Sequence, residues 1–283
     1  MRKNWKLIGL LVAAGLALCI GAVAGKQTAE QEKEVSLEQV PEAVKATILA
    51  EAKGGTIDEI EMKTVNGQTV YEVQVIIDGE KILELQIAEA GALLKKELKD
   101  PAQHKVWTFD KDKVGSTPNG WQATETSGRG KLGKWEVIKD ESASSPPNVL
   151  ALTATKNTGS TFNLLIAKKT SFKDLEIGVR VKAMTGEEDQ GGGPIWRAKD
   201  PNNYYIARWN PLEKNFRVYF VKDGRRKQLA SADIDIDAKI WHRIEIKHKG
   251  AKIEANLDGK KLIELEDSTF LEPGMVGLWT KAD

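Results

Sequence analysis

The sequence predicts a mainly β protein in which a small α+β domain precedes a jelly-roll β-sandwich. Residues 106–283 hold about a dozen short strand-like runs and no helical period, a pattern typical of sandwiches and jelly rolls. Dipeptides typical of tight turns separate these runs, among them Asp223-Gly224, Lys249-Gly250 and Asp258-Gly259. Residues 36–98 instead show one helical pattern followed by three strand patterns. We therefore expect linkers at residues 25–35 and 99–105, and two domains that fold separately.

The first 24 residues have the order of a secretory signal peptide. Basic residues precede an apolar run from Leu7 to Ala24, and Ala22-Val23-Ala24 fits an A-x-A cleavage site. We expect cleavage before Gly25 and a bacterial protein that is periplasmic or secreted. The alternative is an uncleaved anchor, since the run is close to membrane-spanning length, and contact with a membrane is expected only in that case.

Net charge and composition indicate which classes of partner the protein can bind. A net charge of +1 over 283 residues gives no overall field that would attract nucleic acid, so no nucleic-acid partner is expected. The eight tryptophans are a high count for this length, and exposed aromatic rings supply stacking surfaces. Cys19 is the only cysteine, so a chain cleaved before Gly25 has no thiol chemistry.

The small domain is expected to pack one helix on a three-stranded meander. Pro41 suits the helix start, and Val40, Val44, Ile48 and Ala52 recur at four-residue spacing. The strands are expected at Ile57–Val65, Thr69–Ile77 and Lys81–Ala88, joined by the two-residue turns Asn66-Gly67 and Asp78-Gly79.

The helix-plus-meander pattern resembles the PepSY-like family. The residues that carry the resemblance are Leu37, Val40 to Val44, Tyr71-Glu72-Val73 and Asp78-Gly79. The resemblance implies an extracytoplasmic module that binds a protein partner or inhibits a peptidase, and it implies no catalytic residues.

In the larger domain, the stretch Gly191–Val221 is expected to form three strands at Pro194–Arg197, Tyr204–Asn210 and Asn215–Val221. The loop between the last two, Pro211-Leu212-Glu213-Lys214, sets a register in which Arg208 lies opposite Arg217 and Ile206 opposite Tyr219. Alternation then gives an apolar core face and a second, polar face. Arginines opposite each other repel unless something polar or anionic lies between them, so we expect this polar face to be exposed and to bind a ligand. An ordinary solvated face is the alternative.

Residues 106–283 resemble the concanavalin A-like (laminin G-like) β-sandwich of the 3-keto-disaccharide hydrolase domain family, which is also described as family 16 glycoside hydrolase-like. The resemblance is carried by Gly192-Gly193-Pro194, Trp196 to Asp200, Asn203-Tyr204-Tyr205, Asn210 to Glu213, Trp241-His242 and Val276 to Asp283. It implies an extracytoplasmic role with carbohydrate. Domains of this kind continue past the Trp279–Asp283 segment into a closing strand, so either that strand is missing or the sheet closes without it.

The candidate sugar-binding residues combine planar hydrogen-bonding groups with aromatic rings, which suit vicinal hydroxyls and sugar faces respectively. They are Trp196, Arg197, Tyr204, Arg208, Asn210, Asn215, Arg217, Tyr219, Trp279 and Lys281. Trp196 and Trp279 are the candidate stacking platforms, although either also fits a core position.

No catalytic or metal-binding set is evident. The chain lacks the alternating Glu-x-Asp-x-Glu run of true family 16 glycosidases, and a glycosidase needs two carboxylates. Asp233, Asp235 and Asp237 are interpreted as a solvated strand face, and His104 as a linker residue. Glu187-Glu188-Asp189 is interpreted as a solvated loop, with a structural calcium site as the alternative; no other cofactor is expected.

Three functions remain open. The first is an extracytoplasmic sandwich that binds an oligosaccharide or polysaccharide. The second is a hydrolase or lyase that acts on 3-keto-disaccharides or related glycosides. The third is an interaction or peptidase-inhibiting protein that acts through the PepSY-like domain, for which we expect a large apolar patch on that domain.

Overall fold

The computed structural model describes residues 6–13, 33–100, 103–128, 130–143 and 145–282, the first of these ranges by its backbone alone. It divides the chain into two compact units, one within residues 15–106 and the other comprising residues 107–283 together with the N-terminal residues 1–14. Across the described ranges, no helix is long and apolar enough to span a membrane.

The smaller unit packs one helix on an antiparallel sheet. Helix α1 is Glu42–Ala52. Strand β1, Lys6–Ala13, belongs to the larger unit, and the sheet of the smaller unit runs in the order β2-β3-β4-β5-β6 in the described residues. Its strands are β2 (Lys33–Glu34), β3 (Thr56–Val65), β4 (Gln68–Ile77), β5 (Lys81–Ala88) and β6 (Leu93–Leu98).

The core of the smaller unit follows the predicted spacing. Val44 and Ile48 of α1 are fully buried, as are Val73, Val75 and Leu85 of the sheet. Both residues of the Asn66-Gly67 turn have positive φ (52° and 80°), as a two-residue hairpin turn requires. β6 is a fourth strand that follows the three predicted ones; it lies at an edge of the sheet with all six of its residues exposed.

In its described residues, the larger unit consists of strands and loops apart from one short 3-10 turn, η1, at Thr126–Gly128. The strands that follow along the chain are β7 (His104–Trp107), of which Trp107 belongs to the larger unit, β8 (Trp121–Glu125), β9 (Lys134–Lys139), β10 (Asn148–Ala154), β11 (Phe162–Phe172) and β12 (Leu175–Ala183). The remaining strands are β13 (Gly193–Asp200), β14 (Asn203–Asn210), β15 (Asn215–Lys222), β16 (Arg225–Asp233), β17 (His242–Lys249), β18 (Lys252–Leu257), β19 (Lys260–Glu266) and β20 (Gly274–Lys281).

These strands form two sheets that pack face to face. In the described residues, one sheet has the order β19-β18-β17-β12-β1-β10-β9, with β7 paired to β1, and the other has the order β16-β15-β14-β13-β20-β11-β8. Side chains from both sheets share one core, among them Val137, Ile177 and Ile244 from the first and Trp196, Trp209 and Leu278 from the second. The larger unit is therefore a β-sandwich, as the strand pattern predicts.

Three details of the larger unit differ from expectation. β8 lies among turn-forming residues and was not predicted as a strand, and its Trp121 is buried. His104 is not in a linker but begins β7. In both places a short strand lies between turn-forming residues, and its partner strand is distant in sequence. The predicted strand face of Asp233, Asp235 and Asp237 is also wrong beyond Asp233, where β16 ends.

The N-terminal residues take part in the first sheet. β1 pairs antiparallel with β12 from Lys6↔Ala183 to Ala13↔Glu176, and with β10 on its other side. The rest of the predicted targeting segment, including the A-x-A site, lies outside the described residues. Cleavage after Ala24 would remove β1 from the sheet, so this pairing and the mature chain expected from the sequence are mutually exclusive.

Candidate functional site

The hairpin of β14 and β15 has the register that its loop predicts. Arg208 lies opposite Arg217, Asn210 opposite Asn215 and Ile206 opposite Tyr219. One face of the hairpin, with Trp209, Phe216 and Val218, enters the core between the sheets. The other face carries Arg208, Asn210, Asn215, Arg217 and Tyr219, and we call this set the arginine face.

A carboxylate of the protein itself lies between the two arginines. Glu213, from the hairpin loop, accepts hydrogen bonds at Oε2 from Arg208 Nη2 (2.8 Å) and from Arg217 Nη1 (2.9 Å). Arg208 Nη1 also donates to Asn215 Oδ1 at 3.0 Å, and Arg217 Nε donates to Ser231 Oγ at 3.1 Å. The anion expected between the arginines is therefore intramolecular, and no ligand is needed to relieve their repulsion.

The arginines fix the charge of Glu213. Burial alone would raise the pKa of this carboxyl, but hydrogen bonds from Arg208 and Asn215 and the charges of Arg208 and Arg217 outweigh burial and lower the pKa to about 2. Glu213 is thus an anion at neutral pH and acts as a hydrogen-bond acceptor, not as a proton donor.

A second polar cluster continues the face toward β20. Asp189, in the segment between β12 and β13, is 1% exposed. Its Oδ1 accepts from Asn210 Nδ2 at 3.0 Å and its Oδ2 accepts from Lys281 Nζ at 2.7 Å. Asp189 is therefore part of this face and not of a solvated loop. Among the described residues, no three His, Cys, Asp or Glu side chains are grouped to hold a metal ion.

The sheet curves strongly around this face. Arg226 lies on the edge strand β16, five strands away from Phe162 on β11, a separation of roughly 24 Å in a flat sheet at ~4.8 Å per strand. The Arg226 guanidinium nevertheless lies 4.9 Å from the Phe162 ring centre and 5.8 Å from that of Trp279. The face is therefore concave, because its far strands come within side-chain reach of each other.

The curvature buries most of the arginine face, which corrects the expectation that it is exposed. Arg208 is 1% exposed and Asn210 0%, and Asn215 and Tyr219 are each 3% exposed. Only Arg217 and Glu213 are accessible to a substantial extent, with side chains 29% and 39% exposed. Strand alternation assigns each side chain to one side of a sheet but does not describe the curvature of the sheet, so it could not predict this burial.

Eight of the ten candidate residues share the concave face, and two do not. Tyr204, Tyr219 and Trp279 pack together there with Phe162, and Trp279 is fully buried. Trp196 instead stacks on Tyr205 in the core between the sheets, with its Nε1 donating to His248 Nδ1 at 2.8 Å. Trp196 is thus a core residue and not a stacking platform. Strand alternation alone did not decide between these two positions.

Arg197 is also directed away from the arginine face. Its backbone has φ 45°, which breaks the strand alternation, and its guanidinium donates to the carbonyl oxygens of Lys173, Gly250 and Phe270 and to Asp174. It joins three loops at the end of the sandwich, so its role is structural.

His242 is similarly held by neighbours. Its Nδ1 lies 2.6 Å from Asp258 Oδ2, and its Nε2 lies 2.6 Å from the Asp237 carbonyl oxygen. Burial lowers the pKa of His242, but these two contacts together outweigh burial and raise it. Both ring nitrogens of His242 therefore have partners within the protein.

Sequence reasoning missed three residues of the concave face: Glu213 and Asp189, which neutralise its cations, and Arg226. The facing arginines were a signal for a carboxylate, and Glu213 in their own loop was the nearest candidate. Nothing in the local sequence indicates Arg226, whose contacts lie several strands away.

No family model matches this sequence, and no curated protein matches it. Solved structures do resemble it. They include the carbohydrate-binding module CBM66 from Bacillus subtilis (TM-score 0.45, 19% identity, 58% of this chain and 88% of that chain). Others are the potassium-bound carbohydrate recognition domain of Emp46p (0.37, 11%, 58% and 82%) and a prokaryotic β-1,3-1,4-glucanase (lichenase) from a mouse hindgut metagenome (0.38, 12%, 60% and 85%). The sandwich assignment itself rests on the strand pairing of this chain, and membership of the two families that it resembles stays a prediction.

Proposed function

We propose that the β-sandwich binds an oligosaccharide or polysaccharide at the open side of its concave face. The observation that supports this is an array of planar hydrogen-bonding groups fixed before a ligand arrives. Arg217 and Glu213 are accessible there. Buried Arg208 holds Glu213 in place, and Ser231 holds Arg217. Vicinal sugar hydroxyls need a donor and an acceptor side by side, and a preorganised pair binds at a lower entropic cost.

A glycan array probed with the full-length protein tests this proposal. We expect binding to a defined set of glycans, and Arg217→Ala should weaken it about 10- to 100-fold, the range for losing a hydrogen bond from a charged group. Lys214→Ala is the matched control, because Lys214 is a cation of the same hairpin whose side chain is 63% exposed and pairs with Asp235. The proposal is wrong if no glycan binds, or if the two variants lose affinity equally.

A hydrolase acting on 3-keto-disaccharides or related glycosides is the alternative that the family resemblance suggests. Glu213 does not fit the acid of such an enzyme, since its pKa of about 2 leaves it deprotonated and a general acid needs a pKa near the working pH. Glu213 therefore supports a binding role and not the acid step of hydrolysis. Product analysis by mass spectrometry of each glycan that binds distinguishes the two, since cleavage would favour the enzyme.

An interaction role for the smaller unit, as in PepSY-like proteins, is favoured by one observation. Leu94 and Leu98 of the edge strand β6 are each 57% exposed, and Leu49 of α1 is 53% exposed. Edge strands with exposed apolar side chains are typical docking sites for an extended peptide. Pull-down with Leu94→Lys and wild-type protein tests it, and equal capture of the same partner by both would count against it.

We also propose that the protein acts outside the cytoplasm, on the order of basic, apolar and A-x-A segments at its N-terminus. N-terminal sequencing of the exported protein should return a first residue near Gly25. A first residue of Met1 would instead agree with β1 as a permanent strand of the sandwich.

A further inference from the structure

A pocket of about 460 Å³ lies at one end of the seven-stranded sheet. The end of β8, the start of β11 and the turn between β15 and β16 form its walls, with Glu125, Ser127, Ser160, Thr161, Phe162 and Arg226 among the lining residues. This volume lies within the usual range for small-molecule sites, roughly 300–1,000 Å³.

Glu125 is the unusual feature of this pocket. Its side chain is 6% exposed, and neither carboxylate oxygen has a hydrogen-bond partner among the described residues. Burying a carboxylate without a partner costs free energy. A residue that destabilises the folded protein in this way, at the wall of a pocket, points to a ligand that supplies the missing donors.

Arg226 presents the complementary group. Its guanidinium lies over three rings, at 4.6 Å from Tyr219, 4.9 Å from Phe162 and 5.8 Å from Trp279. These cation–π contacts fix the plane of the group, but its Nη1 is buried without a hydrogen-bond acceptor in the described structure. The residues that line the pocket therefore include one donor and one acceptor that are buried and have no partner in the described structure.

The walls of the pocket are fixed by contacts outside it. Thr126 Oγ1 donates to the Pro201 carbonyl oxygen at 3.0 Å and lies 2.8 Å from the Tyr204 hydroxyl. The backbone N–H of Ser127 donates to Asn202 Oδ1 at 2.7 Å. These bonds tie the end of β8 to the β13–β14 turn, so the cavity exists before a ligand binds.

We infer that this pocket is a second sugar subsite, which takes a single uncharged sugar ring. Once the side chains of Glu125 and Arg226 turn toward the pocket, ring hydroxyls donate to the first and accept from the second, and the hydroxyls of Ser127, Ser160 and Thr161 complete the polar wall. A hydroxyl can both donate and accept, whereas the carboxylate of an anionic sugar cannot donate to Glu125 and the ammonium of a cationic sugar cannot accept from Arg226. This inference rests on the proposed carbohydrate binding and extends it to a pocket beside the arginine face, whose Tyr219 contacts Arg226.

The test uses the full-length protein and amide NMR spectra. The probes are the methyl glycosides of glucose, galactose, mannose, xylose and fructose, with glucuronic acid and glucosamine as charged comparisons. We expect at least one neutral glycoside to shift the amide signals of Ser127, Ser160 and Gly224, and to do so more strongly than either charged sugar. The inference is wrong if no neutral glycoside shifts them or if a charged sugar binds more tightly.

Glu125→Gln separates a binding role from a structural one. It should weaken the best glycoside about 10- to 100-fold, yet leave the melting temperature unchanged or raised, because an uncharged amide is less costly to bury. Glu272→Gln, at an exposed position, is the matched control and should change neither. A lower melting temperature for Glu125→Gln, or unchanged affinity, would overturn the assignment.

The two proposals fail in different ways. If glycan-array binding depends on Arg217 while the pocket amides do not respond to any glycoside, the arginine face binds sugar and the pocket does not. If the pocket amides respond and Arg217→Ala binds like wild type, the subsite is correct and the proposed use of the arginine face is wrong.

Discussion

Burial decides the charge of His248. This residue on β17 is 1% exposed, accepts a hydrogen bond from Trp196 Nε1 and packs edge-on against Tyr205. Burial is the main cause that lowers its pKa to about 3, and the nearby Arg197 lowers it further, while Asp174, Asp267 and the Gly250 carbonyl act in the opposite direction. The folded protein therefore keeps this imidazole neutral.

This low pKa makes the stability of the sandwich fall in mild acid. The unfolded chain protonates His248 near pH 6.5, whereas the folded chain does so only near pH 3, so stability is present above pH 6.5 and is lost as the pH falls toward 3. Between pH 7 and pH 5 the loss should be about 2 kcal/mol, at ~1.4 kcal/mol per pKa unit. In urea unfolding at these two pH values, His248→Gln should lack this loss, because glutamine does not titrate. Its amide oxygen can still accept the hydrogen bond from Trp196.

The pKa of His242 is shifted in the opposite direction to that of His248, so His242 serves as a control. Its pKa is raised by Asp258 and the Asp237 carbonyl despite burial, so its contribution is fully present below pH 6.5 and is lost as the pH rises through the raised pKa. The stability difference between wild type and His242→Gln should therefore shrink with rising pH. Parallel pH profiles for wild type and His248→Gln would contradict the assignment of His248.

At the scale of the element, the β14–β15 hairpin stabilises itself through its own loop. Lys214 takes a left-handed conformation with φ 50°, which closes the loop, and the backbone N–H of Glu213 donates to Asn210 Oδ1 at 3.0 Å. This bond directs the Glu213 carboxylate back over the strands, between Arg208 and Arg217. The loop therefore sets the strand register and also supplies the charge that the arginines need.

Glu213→Gln should destabilise the protein by about 1–3 kcal/mol, the range for hydrogen bonds that involve a charged group. The substitution leaves the buried guanidinium of Arg208 without its carboxylate and lets the two arginines repel each other. Chemical denaturation measures the effect. Facing arginines repel each other in the absence of an anion, but with Glu213 between them Arg217→Ala should relieve no repulsion and should cost about 1 kcal/mol.

Asp235→Asn is the matched control for this loop. Asp235 pairs with Lys214, but both side chains are more than half exposed (69% and 63%), and exposed ion pairs contribute about 0–1 kcal/mol. Its effect should stay within about 0.5 kcal/mol. If Glu213→Gln costs no more than Asp235→Asn, Glu213 is not the carboxylate that holds the arginine face together.

At the scale of the whole molecule, the sequence by itself determined the elements and their register. Strand alternation and turn dipeptides are local properties, so they predicted β3 to β5 with α1, the β-sandwich, and the pairing of Arg208 with Arg217. β6 and β8 escaped prediction because their pairing partners and flanking turns, not their own residues, define them as strands.

The burial of the polar face, its charge pairing and its pocket were decided only by the tertiary structure. Curvature of the seven-stranded sheet brings Arg226 to Phe162 and Trp279 across several strands, buries Arg208 and creates the pocket around Glu125. Alternation assigns a side chain to one side of a strand and no further. Burial, charge pairing and cavities depend on residues far apart in sequence, and these come together only when the sheet twists and closes.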